Sequence, residues 1–212
     1  SQYNYQTAWI GKWHLNTLPG GFDFWRVLPD QGQYFQPDFV HMNKDTVRHK
    51  GYVTNLISDF ALEWLDGRDK QKPFFMVVGE KATHRNWMPD PQDLAEFENK
   101  EFAFPANFND DYKGRRAAAD QDMTIDKTMV LRDDLKMGVD YNRPGMFGRM
   151  TAEEKAVYKK YYKILGKHII EPEIITFNKM LNSNKIPNSS SIYNSKKLGK
   201  FYQKNIRHED YL

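Results

Sequence analysis

Continuous apolar runs, flanked by polar residues, predict two strands. The stretch "YQTAWIGKWHL" (5–15) reads as a short, largely buried strand that ends near Gly11. "KPFFMVVGE" (72–80) packs five or six consecutive β-forming apolar residues between polar boundaries, the pattern of a strand buried on both faces in a parallel sheet. Between them, "GYVTNLISDFALEWLDG" (51–67) changes to helical spacing. Leu56, Ile57, Phe60, Trp64 and Leu65 form one apolar face, with Thr54 as N-cap, Val53 as a staple and Gly67 as a C′ glycine. Residues 16–50 keep no period and predict loop with one or two short strands.

Later segments are less regular. "PDPQDLAEF" suits a short helix begun by proline, and "RRAAADQDMTIDKTMVLRDDLKM" a longer one. Thr151 and Glu154 have capping-box spacing, which predicts a helix from about 152. The polar stretch 181–197 reads as a linker or disordered loop, and 198–212 as a last helix. A helix followed by a buried strand is half of a βαβ unit. The predicted class is therefore α/β, a mixed or largely parallel sheet flanked by helices. In such sheets ligands sit beyond the carboxyl ends of the strands. Two Lys-His stretches, Lys12 with His14 and Lys81 with His84, fall at such ends, and this pairs them as one candidate anion site.

Composition and charge alter this picture little. The 212 residues are 40% hydrophobic and 28% charged, ordinary for a globular protein. A net charge of +3 is too mild to argue for nucleic acid or a membrane surface as partner. The charge is uneven, however: residues 151–212 carry 12 Lys and Arg against 6 Asp and Glu, a solvated basic face rather than a binding arm. No apolar run is long enough to span a membrane, and the first residues do not read as a signal peptide. With no cysteine, the chain holds neither a disulfide nor a thiolate ligand nor a cysteine nucleophile.

Lys12 and His14, two apart on an extended segment, share a face and offer an anion one fixed charge and one titratable donor. A surface lysine beside a structural histidine would give the same pair. The loop "EKATHRNWMP" (80–89) adds Arg85, Asn86 and Trp87, a guanidinium, an amide and a flat apolar ring. Those groups suit a sulfated or phosphorylated sugar, although a basic loop whose tryptophan caps the core has the same composition. Gln31, Gln33 and Tyr34 in "PDQGQYFQPDF" are further possible sugar contacts. His41, His49, His168 and His208 read as isolated and solvated, and Asn188-Ser-Ser is a formal glycosylation sequon. Walker-type, H-E-x-x-H, G-x-S-x-G and dinucleotide-binding motifs are absent from the sequence.

Taken in order, "YQTAWIGKWHL", "GFDFW…PDQGQYFQPDF", "GYVTNLISDFALEWL" and "KPFFMVVGEKATHRNWMP" resemble the type I sulfatases of the alkaline-phosphatase superfamily. "KATHRNWMP" and "AAADQDMTIDKTM…DLKM" resemble bacterial N-acetylglucosamine-6-sulfatase-type enzymes acting on glycans. The resemblance covers 1–165 as the central part of a catalytic domain, with 166–212 a diverged, Lys-rich, partly disordered tail. It implies that Lys12 and Lys81 hold sulfate oxygens, that His14 hydrogen-bonds the nucleophile, and that His84 protonates the leaving oxygen. Arg85, Asn86, Trp87 and Gln31 would then contact the sugar. It also implies calcium, a formylglycine nucleophile and a periplasmic, secreted or lysosome-like location for a complete enzyme.

Departures from the family pattern are equally specific. The C/S-x-P-S/A-R motif that yields formylglycine and the carboxylate pairs that bind calcium are missing from this sequence. Asn16, Asn55 and Thr83 stand where glycine, aspartate and proline are usual in the family. The expectation is a catalytically inactive fragment of a sulfatase. A non-catalytic sulfated-glycan-binding derivative and a phosphodiesterase or phosphonate hydrolase of the same superfamily are the alternatives.

Overall fold

The computed structural model describes residues 3–170 except 97–99, 101, 104, 108–109, 122–130, 135, 137–138 and 143. For 131–132 and 164–170 it describes the backbone alone. The readings for 181–197 and 198–212, and for the sequon, lie outside the described residues. The chain divides into two compact units, 1–90 with 142–155, and 91–141 with the residues from 156 on.

A mixed five-stranded sheet organises the first unit. Its strands are β1 (Gln6–Trp13), β2 (Phe24–Pro29), β3 (Asp38–His41), β4 (Thr46–Arg48) and β5 (Phe74–Gly79), ordered β4-β3-β2-β1-β5. Central β1 runs parallel to both β2 and β5, whereas β3 and β4 add on antiparallel. The α/β class read from the sequence is this architecture. Residues 16–50 hold three strands where one or two were expected, because β3 and β4 are too short to show a period. β1 also continues two residues past Gly11.

Helix α1 (Val53–Gly67) packs on one face, burying Val53, Ile57, Phe60 and Ala61. Burying each of Val53, Ile57 and Phe60 contributes roughly 1.5–3 kcal/mol, and the Ala61 methyl about 0.8 kcal/mol. Phe60 is the hub: Phe39 meets it edge-on at 5.1 Å and the Arg26 guanidinium lies 4.1 Å above its ring. Three details of the predicted helix differ. Tyr52, without a side-chain cap bond, occupies the N-cap in place of Thr54. Leu56, Trp64 and Leu65 are only half-buried. Gly67 is the last helical residue rather than a C′ glycine, and Arg68 closes the helix by donating its N–H to the Trp64 carbonyl at 3.0 Å.

Strand β5 also departs from expectation. It is an edge strand among the described residues, and Phe74, Phe75 and Val78 are 39%, 56% and 41% exposed rather than buried on both faces. Trp64 meets Phe74 edge-on at 5.8 Å and the Arg68 guanidinium lies 4.4 Å over its ring, yet much of the apolar run stays exposed.

The segment 142–155 returns to the sheet of this unit. Arg149 donates to the Gln36 carbonyl at 3.0 Å and to the Asp38 carboxylate at 2.6 Å. Arg48 and Arg149 together hold the Asp38 carboxyl well below the usual carboxylate range. Thr151 and Glu154 form the expected capping box. The Thr151 N–H donates to Glu154 Oε2 at 2.7 Å, and the Glu154 N–H to Thr151 Oγ1 at 3.2 Å. In the second unit a 3₁₀ turn (Pro91–Asp93) stands where a proline-begun helix was expected. The longer predicted helix is seen as α2 (Arg116–Asp120) and α3 (Leu131–Asp134), with 122–130 outside the described residues. Helix α4 (Ala152–Ile170) begins at the capping box and continues into the second unit.

Candidate active site

Parallel pairing places the carboxyl ends of β1, β2 and β5 on one side of the sheet. Gly11 of β1 is in register with Gly79 of β5, so the residues that follow each glycine emerge side by side. The backbones approach so closely that a Cβ on Gly11 would sit 2.1 Å from the Gly79 carbonyl oxygen. Gly11 moreover has φ +101°, a conformation that side chains oppose. A Cβ on Gly79 would lie 2.9 Å from the Lys12 carbonyl oxygen. The glycine pair is what lets Lys12 and Lys81 share one place.

They meet at Gln31, in the turn after β2. Lys12 Nζ donates to Gln31 Oε1 at 2.8 Å, and Lys81 Nζ to the Gln31 main-chain carbonyl at 2.9 Å. The Gln31 amide nitrogen lies 3.2 and 3.1 Å from the two ring nitrogens of His14, and donates to whichever is unprotonated. His14 Nε2 is also 3.3 Å from the Asp30 carboxylate. Lys81 is only 6% exposed, and its ammonium lies 4.6 Å over the Tyr34 ring. Burial pushes its pKa down, the charge of Lys12 pushes it further, and Asp30 opposes both. Two cations that repel each other and are partly dehydrated form a place that an anion would relieve.

His84 lies in the same loop as Lys81. The Tyr34 hydroxyl donates to its main-chain carbonyl, and its own Nδ1 donates to the Arg85 carbonyl. That bond requires a proton on Nδ1, so the neutral ring carries none on Nε2. Tyr34 itself is buried, its hydroxyl engaged and its pKa pushed up to about 12 by burial, so it serves the scaffold rather than a sugar. Arg85 and Trp87 are exposed in this loop and Asn86 is half-buried. The structure thus brings Lys12, His14, Gln31 and Lys81 into direct contact, with His84 tied to them through Tyr34. Among the described residues no three His, Cys, Asp or Glu side chains gather into a metal-binding group. A calcium ion is not accommodated by these residues alone.

The sulfatase family model matches residues 1–165. The chain belongs to the sulfatase family. An N-acetylglucosamine-6-O-sulfatase of Bacteroides thetaiotaomicron is 47% identical over 163 residues, which is 75% of this chain and 28% of that protein. The human N-acetylglucosamine-6-sulfatase is 27% identical over 124 residues, 51% of this chain and 22% of its own length. The solved structure of BT4656 with its substrate D-glucosamine-2-N,6-O-disulfate superposes with a TM-score of 0.67 at 34% identity, covering 95% of this chain and 43% of that one. The chain therefore spans between about a quarter and a half of the relatives it matches. No described helix of this sulfatase chain is long and apolar enough to cross a membrane.

Two features of this candidate site go beyond the sequence reading. Gln31 is read there as a sugar contact, whereas in the structure it touches three of the other candidate residues, Lys12, His14 and Lys81. Asp30 gives no signal at all, and only the parallel register of β1, β2 and β5 could have drawn attention to either.

Proposed function

We propose that this chain is the sulfate-binding part of an enzyme that hydrolyses sulfate esters on a sulfated amino sugar or glycosaminoglycan. The observation that carries the reading is the convergence of Lys12 and Lys81 on one point, with His14 beside them, in a chain closely similar to an N-acetylglucosamine-6-O-sulfatase. Sulfuryl transfer spreads negative charge over equatorial oxygens, and two fixed ammonium groups stabilise that charge as it shifts. In the complete protein His14 hydrogen-bonds the nucleophile. As an imidazolium that keeps its Nδ1–H on the Arg85 carbonyl, His84 gives its Nε2 proton to the departing sugar oxygen and is left as the neutral ring. Arg85, Asn86 and Trp87 hold and stack the sugar, with Gln31 reaching the same place from the β2 turn. The formylglycine of a complete enzyme would supply the nucleophile, and calcium would be held by ligands other than the described residues. A periplasmic, secreted or lysosome-like setting, where sulfated glycans are degraded, fits this reading.

Titration calorimetry with 6-O-sulfated and unsulfated N-acetylglucosamine tests it. The 212-residue chain is expected to bind the sulfated sugar selectively without turning it over. Lys12→Ala and Lys81→Ala should each weaken binding about tenfold or more, or ~1.4 kcal/mol. Equal affinity for both sugars would sink the reading, and release of inorganic sulfate would show that this chain carries its own nucleophile. In a complete enzyme, His84→Ala should lower kcat more than it raises KM.

A further inference from the structure

We propose that Gln31 is the positioning residue of this site. Its two carbonyl oxygens occupy the place of the anion's oxygens and keep both lysines converged until the anion arrives. This inference rests on the sulfate-binding reading only for the identity of that anion. Lysine side chains lose appreciable rotamer freedom when held, and two like charges drive each other apart. Both ammonium groups nevertheless end on one residue, Lys12 on the side-chain oxygen at 2.8 Å and Lys81 on the main-chain oxygen at 2.9 Å. The remaining polar group, the amide N–H₂, faces His14. Every hydrogen-bonding group of the glutamine beyond its own N–H is thus committed to the candidate site.

The turn is built to present it. Asp30 and Gly32, on either side, both have positive φ, at 51° and 64°, and the Gly32 N–H returns to the Pro29 carbonyl at 3.0 Å. Gln31 is thereby held at the mouth of the parallel strands. A neutral amide suits the task. Its oxygens hold an ammonium less tightly than a charged oxyanion does, so an incoming sulfate displaces them by forming charge-assisted bonds. A carboxylate of nearly the same shape would hold Lys12 at least as firmly but would repel the anion.

Competitive acetylation of lysines with acetic anhydride, read by mass spectrometry, separates these roles on the full 212-residue chain. Gln31→Ala should speed labelling of Lys12 about 3- to 10-fold, the equivalent of one lost hydrogen bond. Lys81, held by the main chain, should change little. Gln31→Met gives the same result at full side-chain length should alanine loosen the turn. Gln31→Glu should keep Lys12 as slow as in the parent chain. Inorganic sulfate should protect Lys12 and Lys81 in the parent chain but not in Gln31→Glu. An unchanged Lys12 rate in both Gln31→Ala and Gln31→Met overturns the proposal. Protection of Gln31→Glu equal to that of the parent overturns the surrogate-anion role. If sulfate protects neither lysine in the parent while Gln31→Ala still frees Lys12, the sulfate-binding reading fails and the positioning role stands.

Discussion

At the scale of single residues, a backbone conformation decides where charge can gather. Gly11 combines φ +101° with a carbonyl oxygen 2.1 Å from where a Cβ would sit, so neither turning the side chain nor shifting a neighbouring side chain relieves an alanine there. Gly11→Ala is expected to cost about 1–3 kcal/mol from the strained conformation alone, with the clash added. The urea midpoint of the variant measures it. Gly20→Ala, where nothing lies within 4 Å of the new methyl and φ is not positive, should leave the midpoint nearly unchanged. Equal midpoints for the two variants would refute this account. The glycine of "IGKWHL" thus matters as much to the site as the lysine and histidine it precedes.

At the scale of elements, the junction of β3, β4 and α1 holds a titratable device. The rings of His41 and His49 lie only 9° from parallel with centroids 5.4 Å apart, while their Nε2 atoms are 3.1 Å apart. Two imidazoles can satisfy both distances only when nearly coplanar and edge to edge, so one Nε2–H donates to the other Nε2. The sequence reads both histidines as solitary and solvated, and the structure overturns that, because the antiparallel β3–β4 hairpin folds them together. Burial pushes the pKa of each down, with Arg26 adding to it, while Glu63 opposes at both and Asp45 at His41. Their folded values lie below the ordinary 6.5, so the unfolded chain binds more protons in that window. Stability is then full above about pH 6.5 and declines as the pH falls through the lowered values. Thermal melts from pH 7.5 to 5 should show a falling Tm, about 2–4 °C for each kcal/mol lost. The slope should flatten in His49→Gln, and an identical slope would remove the pair as its cause. The Asp38 carboxylate, held by two arginines, adds a separate loss only below its ordinary 3.8. Legibility followed range. The capping box at Thr151 and the apolar stripe of α1 are local and could be read directly. The His41–His49 bond, the three roles of Gln31 and the exposure of β5 depend on which strands become neighbours, which no short window of sequence contains.

At the scale of the molecule, the sheet stops at β5 within the described residues. Its outer edge carries Phe75 at 56% exposure beside Phe74 and Val78. Such an apolar edge invites pairing with another chain. The isolated chain is expected to self-associate, and Phe75→Lys should reduce the associated fraction in sedimentation velocity. An unchanged distribution would place the sticky surface elsewhere. The parallel meeting of β1 with β5 has a consequence of another kind. Lys12 and Gln31 are 19 residues apart in the chain and Gln31 and Lys81 are 50 apart, so no local segment of an unfolded chain assembles their shared contact. An anion bridging the two lysines therefore recognises the folded state alone. By mass action it would raise the melting temperature as its concentration rises, acting as a chemical chaperone for the pairing that creates its own binding place.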